Sequence, residues 1–514
     1  MDGYALSSMK LHDLKDFKDK PALWLILIFA LVLAVRLYIA FQTPLFNYDA
    51  YFNLRQVEHI RDTGLPLYKD TLSYGGKTQL FAPLNEYIIA GFSLVMPIDI
   101  AGKIIPNIFA AMLIFAVYYI ALKITKNSKI SLLVSFMSGF MPVYFMDVNR
   151  VSVNYLAVLL VFSVVYCMLR LNERKYVDYT LILMFLLVLT TPMAFVLVIG
   201  LLLYLLLLKL ENLPVEMKEL EIILFFTFLV FWVNLLIYKN AFLTHGLLVV
   251  WQNVPVKILS EFFMNIGFVQ LFWAISIVPL IFGIYAAYSA FHLENGKELM
   301  LIMSLGLSAF IILWFKLLDL VSGLIFLSVT LVILTVCSLK MLNDFILKSK
   351  IHRYENLVYT IIILIFLVSL IPSAYSMIHT SNAGPQNTPE NSDVETLKWA
   401  SENIPNSSVI MSSLEEGNIV TYYGKRKDVM DTNFLLTPSI DQRLQDVDTV
   451  YTTTFETQAI GILNKYNSKY LLITPSTLQK YGLKEIPYVK DNKCFEIAYY
   501  REGTYLYKVD CKIG

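Results

Sequence analysis

The chain has 514 residues, 57% of them hydrophobic, and a formal net charge of +1. A mean hydropathy of +0.61, with the apolar residues gathered in blocks, excludes a soluble globular domain. The near-neutral balance and the lack of a basic stripe exclude nucleic acid as a partner.

Residues 1–20 are polar and mildly basic. The apolar run that follows, 22–41, has no small-residue cleavage site and reads as a retained anchor. Further runs of spanning or near-spanning length lie at 102–122, 130–146, 152–169, 178–190, 193–208, 220–238, 267–291, 299–315, 320–339 and 357–377. They predict about eleven transmembrane helices. Thr190-Thr191-Pro192 divides 178–208 in two, because a proline disfavours helix in the residue before it. The segment 84–98 is short and reads as a helix lying along the membrane surface.

Lys10, Lys15, Lys18 and Lys20 precede the first span. Lys123, Lys126 and Lys129, then Arg170, Arg174 and Lys175, then Lys340, Lys348, Lys350 and Arg353 fill later loops. In the eleven-span scheme all fall on one side, which the positive-inside rule makes cytoplasmic. The loops 42–101 and 239–266 and the C-terminal region are then external.

A transmembrane domain therefore covers 1–378, and 379–514 forms an external soluble domain behind the linker Asn382-Ala383-Gly384-Pro385-Gln386-Asn387-Thr388-Pro389. Ser392 and Glu395 suggest a capping box opening a helix to about Asn403. Strands near 409–412, 427–430 and 470–474 alternate with helices near 415–423, 438–446 and 456–466, which reads as α/β. The runs 495–500 and 504–509 suit strands, and Glu502-Gly503 between them suits a two-residue turn. Pairing outward from that turn with Arg501 opposite Thr504 sets Cys494 opposite Cys511, within disulfide reach. Cys167 and Cys337 lie in apolar spans and read as buried thiols.

No Gly-rich phosphate loop, His-x-x-x-His or Cys-x-x-Cys occurs, so soluble-type ATPase, zinc-hydrolase and thioredoxin readings lack their motifs. Chemistry is best sought where charge meets the membrane. Phe46-Asn47-Tyr48-Asp49-Ala50-Tyr51-Phe52-Asn53-Leu54-Arg55 follows the first span. A carboxylate there is costly and points to function. The aromatics equally suit an interfacial belt, with Arg55 on a lipid headgroup. Met146-Asp147-Val148-Asn149-Arg150 follows the third span, where Asp147 is either a ligand or a helix cap. Glu261 lies in the 239–266 loop, and Lys316 and Asp319 flank a later external turn as a local ion pair or a phosphate contact. Arg36, in the outer part of the first span, either snorkels to the interface or faces the same cavity.

Asp49-Ala50-Tyr51-Phe52-Asn53-Leu54-Arg55 resembles the first acidic motif of the oligosaccharyltransferase catalytic subunit, a GT-C membrane glycosyltransferase. Asp147-Val148-Asn149 is similar to a reduced second acidic motif, although a rival alignment puts Asn154 at the acidic position. Ser260-Glu261 resembles the end of the family's loop motif. In the soluble domain 396–412 and 422–431 also fit. Ser413-Leu414-Glu415-Glu416-Gly417, however, stands where the family carries the Trp-Trp-Asp-Tyr-Gly acceptor reader.

The resemblance implies a GT-C fold with an external α/β domain. It implies transfer of a sugar or glycan from a polyprenyl-phosphate or polyprenyl-diphosphate donor to a protein, lipid or glycan acceptor. Asp49 would be catalytic, Arg55 and Lys316 would bind phosphate, and Asp49, Asp147 and Glu261 would hold Mg²⁺ or Mn²⁺. A true protein oligosaccharyltransferase is the near alternative. A transporter or a non-catalytic scaffold is the distant one, and the clustering of carboxylates at helix ends disfavours transport.

Overall fold

The computed structural model describes residues 20–262, 268–290, 297–349, 355–377, 388–489 and 493–512. Lys10, Lys15, Lys18, Lys350, Arg353 and most of the linker lie outside the described residues.

The helices of the first part are α1 (Pro21–Ala40), α2 (Ala50–Thr63), α3 (Leu84–Phe92), α4 (Ile98–Thr125), α5 (Ser128–Gly139), α6 (Asn154–Met168), α7 (Arg174–Thr190) and α8 (Ala194–Leu210). A two-stranded hairpin, β1 (Lys69–Asp70) and β2 (Lys77–Thr78), lies between α2 and α3. Then come α9 (Met217–His245), α10 (Val256–Ser260), α11 (Phe268–Ile275), α12 (Ile277–Ala290), α13 (Lys297–Trp314), α14 (Leu320–Lys348) and α15 (Glu355–Met377). Among the described residues, five helical stretches are long and apolar enough to cross a membrane: 21–40, 98–125, 217–260, 297–314 and 320–348. Four shorter apolar helices accompany them.

The chain is an integral membrane protein. Its helices bury Val117, Val134, Phe162, Val198 and Phe326 between them, and leave Leu31, Phe185, Phe228 and Leu236 exposed on the outside. In a bilayer such an outer surface is solvated by lipid. Close approach of helices needs small residues. A Cβ on Gly139 would run into Val32 and Ile114, so a glycine lets α5 meet α1 and α4.

Several predicted boundaries move. The helix expected from 102 starts at Ile98, directly after Pro97 and with Asp99 in its first turn. The run 130–146 is not one helix: it ends at Gly139, and a 3₁₀ turn, Pro142–Phe145, follows. The run 267–291 breaks at Ser276, whose φ is +76°. The division at Thr191-Pro192 is present between α7 and α8.

The C-terminal domain contains α16 (Asn391–Asn403), β3 (Val409–Met411), α17 (Gly417–Tyr422), β4 (Lys427–Asp428), α18 (Ile440–Thr452), α19 (Glu456–Lys465), β5 (Ser468–Ile473), α20 (Pro475–Lys480), β6 (Phe495–Arg501) and β7 (Thr504–Val509). The sheet order is β4-β3-β5-β7-β6. β3 runs parallel to β4 and β5, and β7 runs antiparallel to β5 and β6. Glu390 and Asp393, rather than Ser392 and Glu395, form the capping box of α16. One face of the sheet packs on α18 and α19 through Leu444, Val447 and Leu463. The other packs on α16, α17 and the α2 segment through Leu397, Ile419, Leu54 and Tyr51.

The terminal hairpin turns at Glu502 and Gly503, both with positive φ, as a two-residue turn with right-handed strand twist requires. Arg501 faces Thr504 as expected, but a bulge between Ile497 and Tyr499 shifts the register by one. The bulge has a packing reason. Phe495 belongs to the core on the α18 and α19 side, whereas Tyr499 stacks on Trp399 on the other side, with ring centroids 4.9 Å apart. Residues four apart in a regular strand would share one face. The amide of Asp510 therefore bonds the carbonyl of Cys494, one step from the expected opposition, and Cys494 and Cys511 are joined by a disulfide across 4.9 Å between Cα atoms. Cys167 and Cys337 are buried free thiols.

Candidate active site

The loops at one end of the helices are built into the C-terminal domain. Between β1 and β2, Leu72 and Tyr74 exchange backbone hydrogen bonds with Asp428 on the edge strand β4, both 2.9 Å. Lys77 donates to both carboxylate oxygens of Asp431, at 2.5 and 2.7 Å, and to the Asn433 carbonyl. The loop after α9 docks through Asn253, which donates to the carbonyls of Phe434 and Thr437, and through Lys257 on Asp448. Asp431 and the adjoining Thr432 are thus fixed relative to the membrane helices.

Asp49 stands at the start of α2 at this junction. Its Oδ1 accepts from the Thr432 hydroxyl at 3.0 Å, and its Oδ2 accepts from Arg150 Nη2 at 2.9 Å. The turn carrying Arg150 is tied down on several sides. The Asn47 amide bonds the Asn149 carbonyl, Asn53 Nδ2 bonds the Val151 carbonyl, and Asn107 Nδ2 bonds the Val148 carbonyl. From beneath, Arg36 donates to Asn107 Oδ1 at 2.9 Å and to the Tyr144 carbonyl at 2.6 Å, with its guanidinium 4.5 Å from the centre of the Tyr155 ring. Arg36 is fully buried, so it does not snorkel; it holds the turn.

Arg150 gathers three carboxylates. Besides Asp49, its Nη1 lies 3.5 Å from Asp147 Oδ1 and 3.9 Å from Asp319 Oδ2. Asp147 is buried and its Oδ2 accepts from Asn154 Nδ2 at 3.0 Å. Burial pushes the Asp147 carboxyl above the usual range, against the pull of Arg150. Burial also opposes the charge on Arg150, but the carboxylates of Asp147, Asp49 and Asp319 outweigh it and hold the guanidinium more firmly protonated. Asp319 caps α14, accepting from the Ser322 amide and hydroxyl. The centre is open on one side: the side chains of Asp49, Arg150 and Asp319 are 39, 31 and 47% exposed.

Other expected site residues stand differently. Arg55 is gripped bidentately by Asp70 at 2.7 and 2.9 Å, so both ends of its fork are occupied within the protein. Lys316 donates to the Leu259 carbonyl at 2.6 Å, bracing the second loop. Glu261 is exposed at the end of α10 and beside Lys257. Among the described residues no three His, Cys, Asp or Glu side chains are grouped as a metal site would need, so Glu261 does not join Asp49 and Asp147 as a ligand set. Sequence reasoning passed over Arg150 and Thr432. An arginine three residues after a carboxylate at a span's end was the available signal for the first; nothing local marked the second.

In the segment that stands in place of the family's acceptor reader, Glu416 is buried and satisfied by the hydroxyls of Thr474 and Thr477 and the Ser413 amide. Gly417 follows because a Cβ there would overlap the Met430 carbonyl and Asp428.

The chain is similar in structure to archaeal oligosaccharyltransferase AglB from Archaeoglobus fulgidus in complex with an inhibitory peptide and a dolichol-phosphate. The TM-score is 0.69 and the identity 13%, over 95% of this chain and 74% of that one. The fold is that of GT-C glycosyltransferases. A structure of the Archaeoglobus fulgidus enzyme in complex with Zn and sulfate gives a TM-score of 0.66 at 14% identity, over 94 and 73% of the two chains. ArnT from Cupriavidus metallidurans bound to undecaprenyl phosphate gives 0.57 at 11%, over 94 and 97%. No family model matches the sequence, and no curated protein matches it significantly.

Proposed function

We propose that this protein transfers a sugar or glycan from a polyprenyl-phosphate or polyprenyl-diphosphate carrier to an acceptor on the external face of the membrane. The observation that carries the reading is the centre of Asp49, Arg150, Asp147 and Asp319, lying at the end of the apolar helices under the C-terminal domain of a GT-C fold. Two proteins of like fold were captured with dolichol-phosphate and with undecaprenyl phosphate, which supports a lipid-linked donor. The loop lysines and arginines support an N-terminus inside and a C-terminal domain outside.

The acceptor's nucleophile attacks the anomeric carbon. The bond from that carbon to the phosphate oxygen breaks, and its electron pair stays on the phosphate. Asp49, open on one side and oriented by Thr432 and Arg150, takes the acceptor's proton. We assign Arg55 and Lys316 to holding the loops. A Mg²⁺ or Mn²⁺ ion would need the oxygens of Asp49, Asp147 and Asp319, but Arg150 lies among them and Asn154 stands where a further carboxylate was sought, so this donor set does not fit a divalent ion. The internally satisfied Glu416 supports an acceptor other than a sequon peptide. Comparing glycans in membranes with and without Asp49→Ala tests the proposal: loss of one glycan class supports it, and an unchanged profile rejects it.

A further inference from the structure

One guanidinium, from Arg150, reaches carboxylates on three separate segments: Asp49 at α2, Asp147 on its own turn and Asp319 at α14. All six oxygens of these groups already face donors of the chain. Asp49 has Thr432 and Arg150. Asp147 has Asn154 and Arg150. Asp319 has the Ser322 hydroxyl and amide, with Arg150 beyond. A hard divalent cation draws its oxygens to within about 2.0–2.6 Å of one point. Here the guanidinium lies among those oxygens, 2.9 Å from Asp49, 3.5 Å from Asp147 and 3.9 Å from Asp319, and the turn carrying it is pinned through Asn149, Val151 and Val148. No imidazole or thiolate is grouped with the carboxylates among the described residues.

We infer that Arg150 is the built-in cation of this centre, standing in place of a divalent metal, and that glycosyl transfer here needs no metal ion; the inference rests on the transferase reading above. In the transfer the phosphate gains charge as its bond to the sugar breaks. A guanidinium is protonated at every working pH, and this one, its side chain 31% exposed, brings that charge to the site. The same group aims Asp49 through the Nη2 contact to its Oδ2, so one side chain serves both the leaving group and the base. Atoms balance without a co-reactant: the acceptor proton goes to Asp49, and the electron pair of the broken bond stays on the phosphate beside Arg150.

The test is Mn²⁺ titration of the purified full-length protein in detergent, followed by loss of the free-ion EPR signal. It uses neither donor nor acceptor, so it can fail while the transferase reading survives, and the converse also holds. The wild-type protein is expected to leave the Mn²⁺ signal undiminished into the millimolar range. Arg150→Ala, which frees one oxygen each of Asp49 and Asp147, is expected to take up Mn²⁺, and adding Asp49→Asn should abolish that uptake. Stoichiometric, Asp49-dependent binding by the wild-type protein would overturn the inference, and this arm holds even if the arginine variant does not fold. A folded Arg150→Ala protein that ignores Mn²⁺ would overturn it equally. In washed membranes, Asp49-dependent glycosylation should persist undiminished in excess EDTA; its loss, restored by Mg²⁺ or Mn²⁺, would also end the idea.

Discussion

The clasp between Lys77 and Asp431 makes the C-terminal domain part of the site, and breaking it should be expensive. The two side chains are 3 and 5% exposed, and the ammonium reaches both carboxylate oxygens and the Asn433 carbonyl. Replacing Lys77 with Met removes the cation but leaves a buried carboxylate. Breaking one partner of a buried pair costs about 3–5 kcal/mol, most of it the desolvation of the survivor. Asp431→Asn removes the stranded charge while keeping an acceptor for the Asn433 amide, which bonds Asp431 Oδ1 at 2.8 Å. The double variant should therefore recover most of the loss. Urea titration of the detergent-solubilised protein, read by tyrosine and tryptophan emission, measures both. Thr432 adjoins Asp431 and orients Asp49, so Lys77→Met should also depress transfer. A loss below about 1 kcal/mol for Lys77→Met is what a solvated surface pair would show, and it would refute the argument.

A cysteine replacing the exposed Glu402 should react with an impermeant thiol reagent on intact cells; labelling only after lysis would reverse the topology. Non-reducing mass spectrometry of protein from native membranes should find Cys494 and Cys511 in one linked peptide, and Cys511→Ser should cost the domain about 2–4 kcal/mol, whereas two alkylatable thiols would contradict the bond. Burial raises the Asp393 carboxyl to about 7, against the pull of the Thr504 hydroxyl. Because the folded value exceeds the unfolded one, this group's contribution is fully present below the unfolded pKa and is lost as pH rises through the folded one. Full-length protein should thus resist urea better at pH 5 than at pH 8, and Asp393→Asn should flatten the difference; an unaltered slope in that variant would assign the effect elsewhere.

The parts of the fold legible in the sequence were those governed by local physics. Long apolar runs announced α1, α4 and α14, and Thr191-Pro192 announced the gap before α8. Glu502-Gly503 announced the terminal turn. What stayed hidden depended on tertiary partners. The bulge beside Ala498 exists because Phe495 and Tyr499 feed opposite cores, which no alternation within one strand reveals. Arg55 looked like a phosphate contact because its partner Asp70 lies across a turn. Asp49 is legible from the sequence as a carboxylate at a membrane exit. Thr432 lies 383 positions away in sequence from the Asp49 it contacts, and only docking of the C-terminal domain on the first loop joins them.

The transferase reading depends most directly on Asp49. It sits at a helix end, open on one side, and not in a packed core, so Asp49→Asn should leave expression and detergent stability near wild type. Glycan analysis of membranes from cells carrying Asp49→Asn, beside wild type at equal protein level, is the decisive measurement. The predicted result is disappearance of one lipid-derived glycan modification with accumulation of its polyprenyl-linked donor. An unchanged glycan profile and donor pool would contradict the assignment.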